Sequence, residues 1–70
     1  MKRIGVQSSN IVSISYNLNE EILEIEFKGN RIYQYKDVPE FIYQDLINSE
    51  SVGKYFNTNI KDQYETEKVS

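Results

Sequence analysis

Tyr33 and Tyr35 stand one residue apart, with Arg31 before them and Lys36 after them. Two tyrosines on one face of a strand can stack nucleobases, and the flanking cations can contact phosphate. Lys54 and Lys61, further along, extend the same possibility. These six residues, Arg31, Tyr33, Tyr35, Lys36, Lys54 and Lys61, are the candidates for nucleic-acid contact. Tyr55 and Asn57 are candidates for a protein-interaction surface, for which the sheet edge and the Glu-rich strand face are the alternatives. The chain has no histidine and no cysteine. The commonest general base, thiol nucleophiles and the usual zinc ligands are therefore absent. No catalytic residue, metal ligand or cofactor is assigned.

Other groups have simpler readings. Ser8 and Ser9 lack the histidine that would activate a hydroxyl. Ser51-Val52-Gly53-Lys54 lacks the glycine spacing that wraps a phosphate, and reads as a helix cap. Glu20, Glu21, Glu24 and Glu26 are dense, but strand alternation splits them, so they read as a solvated face. Lys2 and Arg3 make a small basic start. The net charge is −3 and the pI near 4.8. Both weaken the case for RNA, whose non-specific binding comes from lysine and arginine on phosphates.

These side chains need elements to hold them. Val12, Ile14 and Tyr16 alternate with Ser13 and Ser15, and Leu23, Ile25 and Phe27 alternate with Glu24, Glu26 and Lys28. That is the period of half-buried strands. Residues 31–36 form a third strand after Gly29-Asn30. Asp37 caps a helix with Pro39 in its first turn, and Val38, Ile42 and Leu46, helped by Phe41, make its apolar stripe. Ser49 or Ser51 caps a second helix, where Val52, Phe56, Ile60 and Tyr64 repeat every four residues. Gly53 costs that helix about 1 kcal/mol relative to alanine, which implies close backbone packing or a loose first turn. Residues 65–70 are expected to fray.

The hairpin loop decides where the tyrosines point. A two-residue Gly29-Asn30 loop sets Glu26 opposite Tyr33 and puts both tyrosines in solvent. A three-residue loop, Lys28-Gly29-Asn30, with Asn30 left-handed, sets Ile25 opposite Tyr33 and Leu23 opposite Tyr35, on the core side. Turn chemistry favours the first. Apolar matching favours the second, and burying a large aromatic is worth roughly 1.5–3 kcal/mol. The expectation falls on the second, with the first left open.

Ser8-Ser9-Asn10-Ile11, Leu23-x-Ile25-x-Phe27, Tyr33-x-Tyr35, Val38-Pro39, Ser51-x-Gly53-x-Tyr55-Phe56-Asn57 and Ile60-Lys61 occur in an order that resembles the KTSC domain. That family is named for the C-terminus of some lysyl-tRNA synthetases and also occurs as small free-standing proteins of bacteria and phages. The resemblance runs from about Ser8 to Val69. It implies a small single-domain protein, with Tyr33 and Tyr35 as a central pair and RNA binding as the suggested role. It carries over no catalytic residue. The chain departs from the family pattern after Lys61, where Asp62, Gln63 and Glu65 follow.

The expected fold is α+β, a three-stranded antiparallel β-meander followed by two short α-helices packed on one sheet face. One domain spans residues 1–70, with its core at about 8–64. The expected function is a non-catalytic binding module in the cytoplasm, with RNA as first ligand. The alternative is a protein-interaction module, of phage origin, docking on a host protein. The expected state is a monomer or a weak homodimer through a strand edge, with no membrane partner.

Overall fold

Alternating and helical patterns become five strands and two helices among residues 3–70, which the computed structural model describes. The strands are β1 (Arg3–Gly5), β2 (Ile11–Asn17), β3 (Ile22–Phe27), β4 (Arg31–Tyr35) and β5 (Thr66–Lys68), and the helices are α1 (Glu40–Asn48) and α2 (Val52–Asn59). The strands form one antiparallel sheet in the order β1-β2-β3-β4-β5. The α+β class and the two helices agree with expectation, but the sheet has five strands, not three. Both added strands lie at the edges and are three residues long, which limits the unpaired edge available to another chain.

The expected fraying of residues 65–70 is corrected. Tyr33 lies opposite Lys68, Gln34 opposite Glu67 and Tyr35 opposite Thr66. Backbone bonds extend the pairing at both ends: Lys36 N–H donates to Glu65 O at 2.9 Å and Ile32 N–H to Ser70 O at 3.0 Å. Every residue of β5 is exposed, so backbone pairing and the Lys36–Glu67 ion pair at 3.0 Å, not side-chain burial, hold it.

The β3–β4 hairpin adopts the core register. Ile25 lies opposite Tyr33, Leu23 opposite Tyr35 and Phe27 opposite Arg31. The Phe27–Arg31 pair leaves Lys28, Gly29 and Asn30 as the loop, and Asn30, with a φ of 61°, is the left-handed residue that closes it. Apolar matching outweighs the two-residue turn.

A bulge corrects one core assignment. Ile11 pairs with Phe27 but Ser13 with Glu26, so Val12 is an extra residue in β2. It is 39% exposed, while Ile11 takes its expected place in the core. The core otherwise joins Ile14, Leu23, Ile25, Phe27 and Tyr35 of the sheet to Val38, Leu46, Val52, Phe56 and Ile60. Ile42 is partly buried against it, but Phe41 is 63% exposed. Pro39, not Asp37, is the N-cap of α1, with no side-chain cap bond. Asp37 instead has a φ of 58° and turns the chain, so that Val38 N–H reaches Glu21 O at 2.9 Å. Ser51 does cap α2, accepting from Lys54 N–H at 3.3 Å. That helix ends at Asn59, so Tyr64 packs on the core from the following segment.

Gly53 is closely approached: a Cβ there would lie 3.1 Å from Ser8 Oγ. The close-packing reading of this glycine therefore holds. No helix of the described residues is long and apolar enough to cross a membrane.

Candidate nucleic-acid interface

Strand alternation places Tyr33 and Tyr35 on the helix-covered face and Gln34 and Lys36 on the other. Tyr35 is 5% exposed, and its ring meets Phe56 edge-on at 5.5 Å. Phe56 meets Phe27 at 5.5 Å, and Phe27 meets Tyr33 at 5.7 Å with the rings 80° apart. The four rings form a continuous edge-to-face series, an arrangement aromatic quadrupoles favour. Burial pushes the Tyr35 hydroxyl up to about 12, with smaller contributions from Tyr33 and Asp62. A stacking role for Tyr35 is corrected: a ring buried to this degree has no free face for a base. Tyr33, half-buried, keeps part of its ring accessible.

Above these rings lies a cleft of about 290 Å³. Its lining includes Phe27, Tyr35 and Phe56 below, Tyr33 beside them, and Asn10, Arg31, Asn57, Lys61, Asp62 and Thr66 around. Each of these last six is exposed, so the cleft has an aromatic floor and a polar rim. Four of the sequence candidates, Arg31, Tyr33, Asn57 and Lys61, converge here, with Tyr35 beneath. The strand β4, the end of α2 and the turn after it supply them. That turn depends on Asp62, whose φ is 64°, and on Lys61 N–H donating to Phe56 O at 2.9 Å.

Arg31 is held in place. Its Nε donates to Lys28 O at 3.1 Å and its Nη2 to Asn10 Oδ1 at 3.3 Å. Its guanidinium carbon lies 5.7 Å from the Phe27 ring centroid, within cation–π range. A guanidinium has five N–H donors, so others remain for an anion.

Three candidates lie elsewhere. Lys36 does not join the cleft: it lies on the opposite face and pairs with Glu67, whose hydrogen bond and charge raise its pKa. Lys54 lines a neighbouring groove of about 410 Å³ between the Ser8-Ser9-Asn10 loop and the start of α2. That groove shares Asn10, Phe27, Phe56 and Asn57 with the cleft, so the two are contiguous. Tyr55 lines a third groove with Lys54 and Thr58. Its pKa is raised by burial and then by Asp45. That groove shares Glu50, Ser51, Lys54 and Thr58 with the one that Asn57 lines. Arg3 pairs with Glu24 and donates to Ser13 Oγ at 3.0 Å, and Lys2 lies outside the described residues. Glu24 also accepts from Gln34 at 3.0 Å, and Glu26 from Ser13 at 2.8 Å, as a hydrogen-bonded sheet face.

Sequence reasoning missed Asn10, Phe27, Phe56, Asp62 and Thr66 as lining residues. Asn10 stands in the Ser8-Ser9-Asn10-Ile11 motif, but nothing in its spacing ties it to Arg31, 21 residues away.

Known proteins resemble this chain over most of its length. The KTSC domain model matches residues 7–64. An uncharacterized protein of Stutzerimonas stutzeri is 39% identical over 64 residues, covering 91% of this chain and 90% of that one. A lysine–tRNA ligase of Nostoc punctiforme is 36% identical over 64 residues, and there the match spans 91% of this chain but only 11% of the ligase. The crystal structure of the KTSC domain protein YPO2434 from Yersinia pestis superposes with a TM-score of 0.94 at 36% identity, covering 99% of this chain and 97% of that one. The chain belongs to the KTSC domain family.

Proposed function

We propose that this protein is a non-catalytic binding module for RNA, in the cytoplasm, with the Arg31–Lys61 cleft as its contact surface. The observation that carries this reading is the convergence of Arg31, Tyr33, Asn57 and Lys61 on one cleft with an aromatic floor. Cations attract phosphate, an accessible tyrosine edge or face suits a base, and amides can read a base edge. Lys54, on the adjoining groove, extends the positive side. The similarity to a segment of a lysine–tRNA ligase adds support from a protein that acts on tRNA. The overall charge of −3 makes the contact local.

The test is fluorescence anisotropy of a labelled single-stranded RNA at about 50 and about 200 mM salt. Each phosphate contact contributes a slope near −0.7 in log K against log salt for single strands. Arg31, Lys54 and Lys61 together give a slope near −2. Absence of binding at both salt concentrations would remove this reading.

A second reading has its own observation. Phe41 is 63% exposed and Leu18 58% exposed, with Glu20, Glu21 and Glu40 near them in sequence. Apolar residues beside acidic ones suit a protein partner rather than a phosphate. Phe41→Ser separates the two readings, since RNA affinity through the cleft is unchanged by it.

A further inference from the structure

We infer that the cleft takes one unpaired nucleotide, with its base against Tyr33 and its phosphate between Arg31 and Lys61. The inference rests on the RNA reading above and narrows it to single strands.

Size is the first argument. A cleft of about 290 Å³ has room for one nucleotide. The bases of a duplex are stacked on both faces and cannot enter such a space, whereas an unpaired base can be splayed out.

The lining is the second. Phe27, Tyr35 and Phe56 are buried beneath the cleft and present no free ring face, so Tyr33 is the one lining aromatic with ring left for a base. Tyr33 is oriented in advance by its edge-to-face contact with Phe27. Asn10 and Asn57 each carry an acceptor oxygen and an amide donor, which match the mixed edge of a base. Arg31 is oriented by Lys28 O, Asn10 Oδ1 and the Phe27 ring. Side chains oriented before binding lose less entropy on binding.

Charge is the third. Duplex recognition draws on many phosphate contacts along a backbone. Here Asp62 stands on the same rim as Arg31 and Lys61. One anion between two cations is accommodated, and a run of phosphates across the rim meets the Asp62 carboxylate.

The experiment compares a labelled RNA strand of about eight nucleotides with the same strand annealed to its complement, at about 50 mM salt. The single strand is expected to bind at least about tenfold tighter. Tyr33→Leu is expected to weaken it about tenfold, the scale of one lost stacking contact, and Tyr33→Phe to preserve it. Arg31→Gln, at an exposed position, gives a second variant should Tyr33→Leu fail to fold, and is expected to weaken single-strand binding severalfold. Equal affinity for duplex and single strand overturns the one-nucleotide cleft and leaves the RNA reading standing. Single-strand binding that ignores both Tyr33→Leu and Arg31→Gln also overturns it. Binding of neither RNA overturns both readings and points to a protein partner.

Discussion

Arg31 donates from Nη2 to the side-chain oxygen of Asn10 at 3.3 Å, joining the β3–β4 hairpin to the segment that enters β2. The bond links two pieces of chain 21 residues apart. It also fixes the direction in which the guanidinium faces the cleft. Lys28 N–H donates to Asn10 O at 2.8 Å, so the backbone of Asn10 is tied to the same hairpin.

Asn10→Ala removes the side-chain bond and keeps the backbone one. Exposed hydrogen bonds contribute modestly, so stability should fall by less than about 1 kcal/mol in urea unfolding. RNA affinity should fall more than that stability loss implies, because Arg31 then keeps only its bond to Lys28 O and its Phe27 contact and must lose more freedom on binding.

Asp62→Asn should tighten RNA binding. The change removes the carboxylate from the rim that carries Arg31 and Lys61. Asparagine tolerates the left-handed backbone at this position as well as aspartate does, so the fold is retained. The expected gain is a few-fold at low salt, shrinking as salt rises. A weaker Asp62→Asn complex would contradict the placement of the anion.

Tyr35 makes stability fall at high pH. Its hydroxyl has a folded-state value of about 12 against 10.0 unfolded. A raised value favours the neutral form in the folded state. The associated stability is complete below pH 10 and is lost as pH rises through about 12. The size is on the order of 2 kcal/mol, and the raised values of Tyr16 and Tyr55 act in the same direction. Urea midpoints measured from pH 8 to 12 should therefore drop in the upper part of that range. In Tyr35→Phe the drop should be smaller.

Gly53 and Ser8 should be energetically coupled. Alanine gains about 1 kcal/mol over glycine in a helix, but its Cβ would sit 3.1 Å from Ser8 Oγ. That oxygen also accepts from Asn10 N–H and Ile11 N–H, both at 3.4 Å, so it has little freedom to withdraw. Gly53→Ala alone should be neutral or destabilising. In a Ser8→Ala background the same change should stabilise, with a coupling of at least about 0.5 kcal/mol in a double-mutant cycle.

The long strands and both helices are legible in the sequence because their apolar residues keep a period of two or of nearly four. The hairpin register is legible because only one loop length sets Ile25 and Leu23 against the two tyrosines. Strands β1 and β5 are not. Thr66-Glu67-Lys68 buries no side chain, so its pairing leaves no hydrophobic trace. The bulge at Val12 is hidden because Ile11 and Val12 are both apolar, and either suits the core by type. Phe41 looks like core until the helix start at Glu40 turns it outward. The candidate site is half legible. Arg31 and Tyr33 advertise themselves by their position on one strand. Their meeting with Asn57 and Lys61 depends on how α2 crosses the sheet, and no spacing encodes that.

The proposed contact of RNA with the Arg31–Lys61 cleft can be followed residue by residue. An amide and side-chain NMR titration of labelled protein with a short single-stranded RNA, at about 50 and about 200 mM salt, tests it most directly. Shifts are expected to cluster at Asn10, Arg31, Tyr33, Asn57 and Lys61 and to diminish at the higher salt. Unchanged spectra, or shifts centred on Phe41 and Leu18, would contradict it.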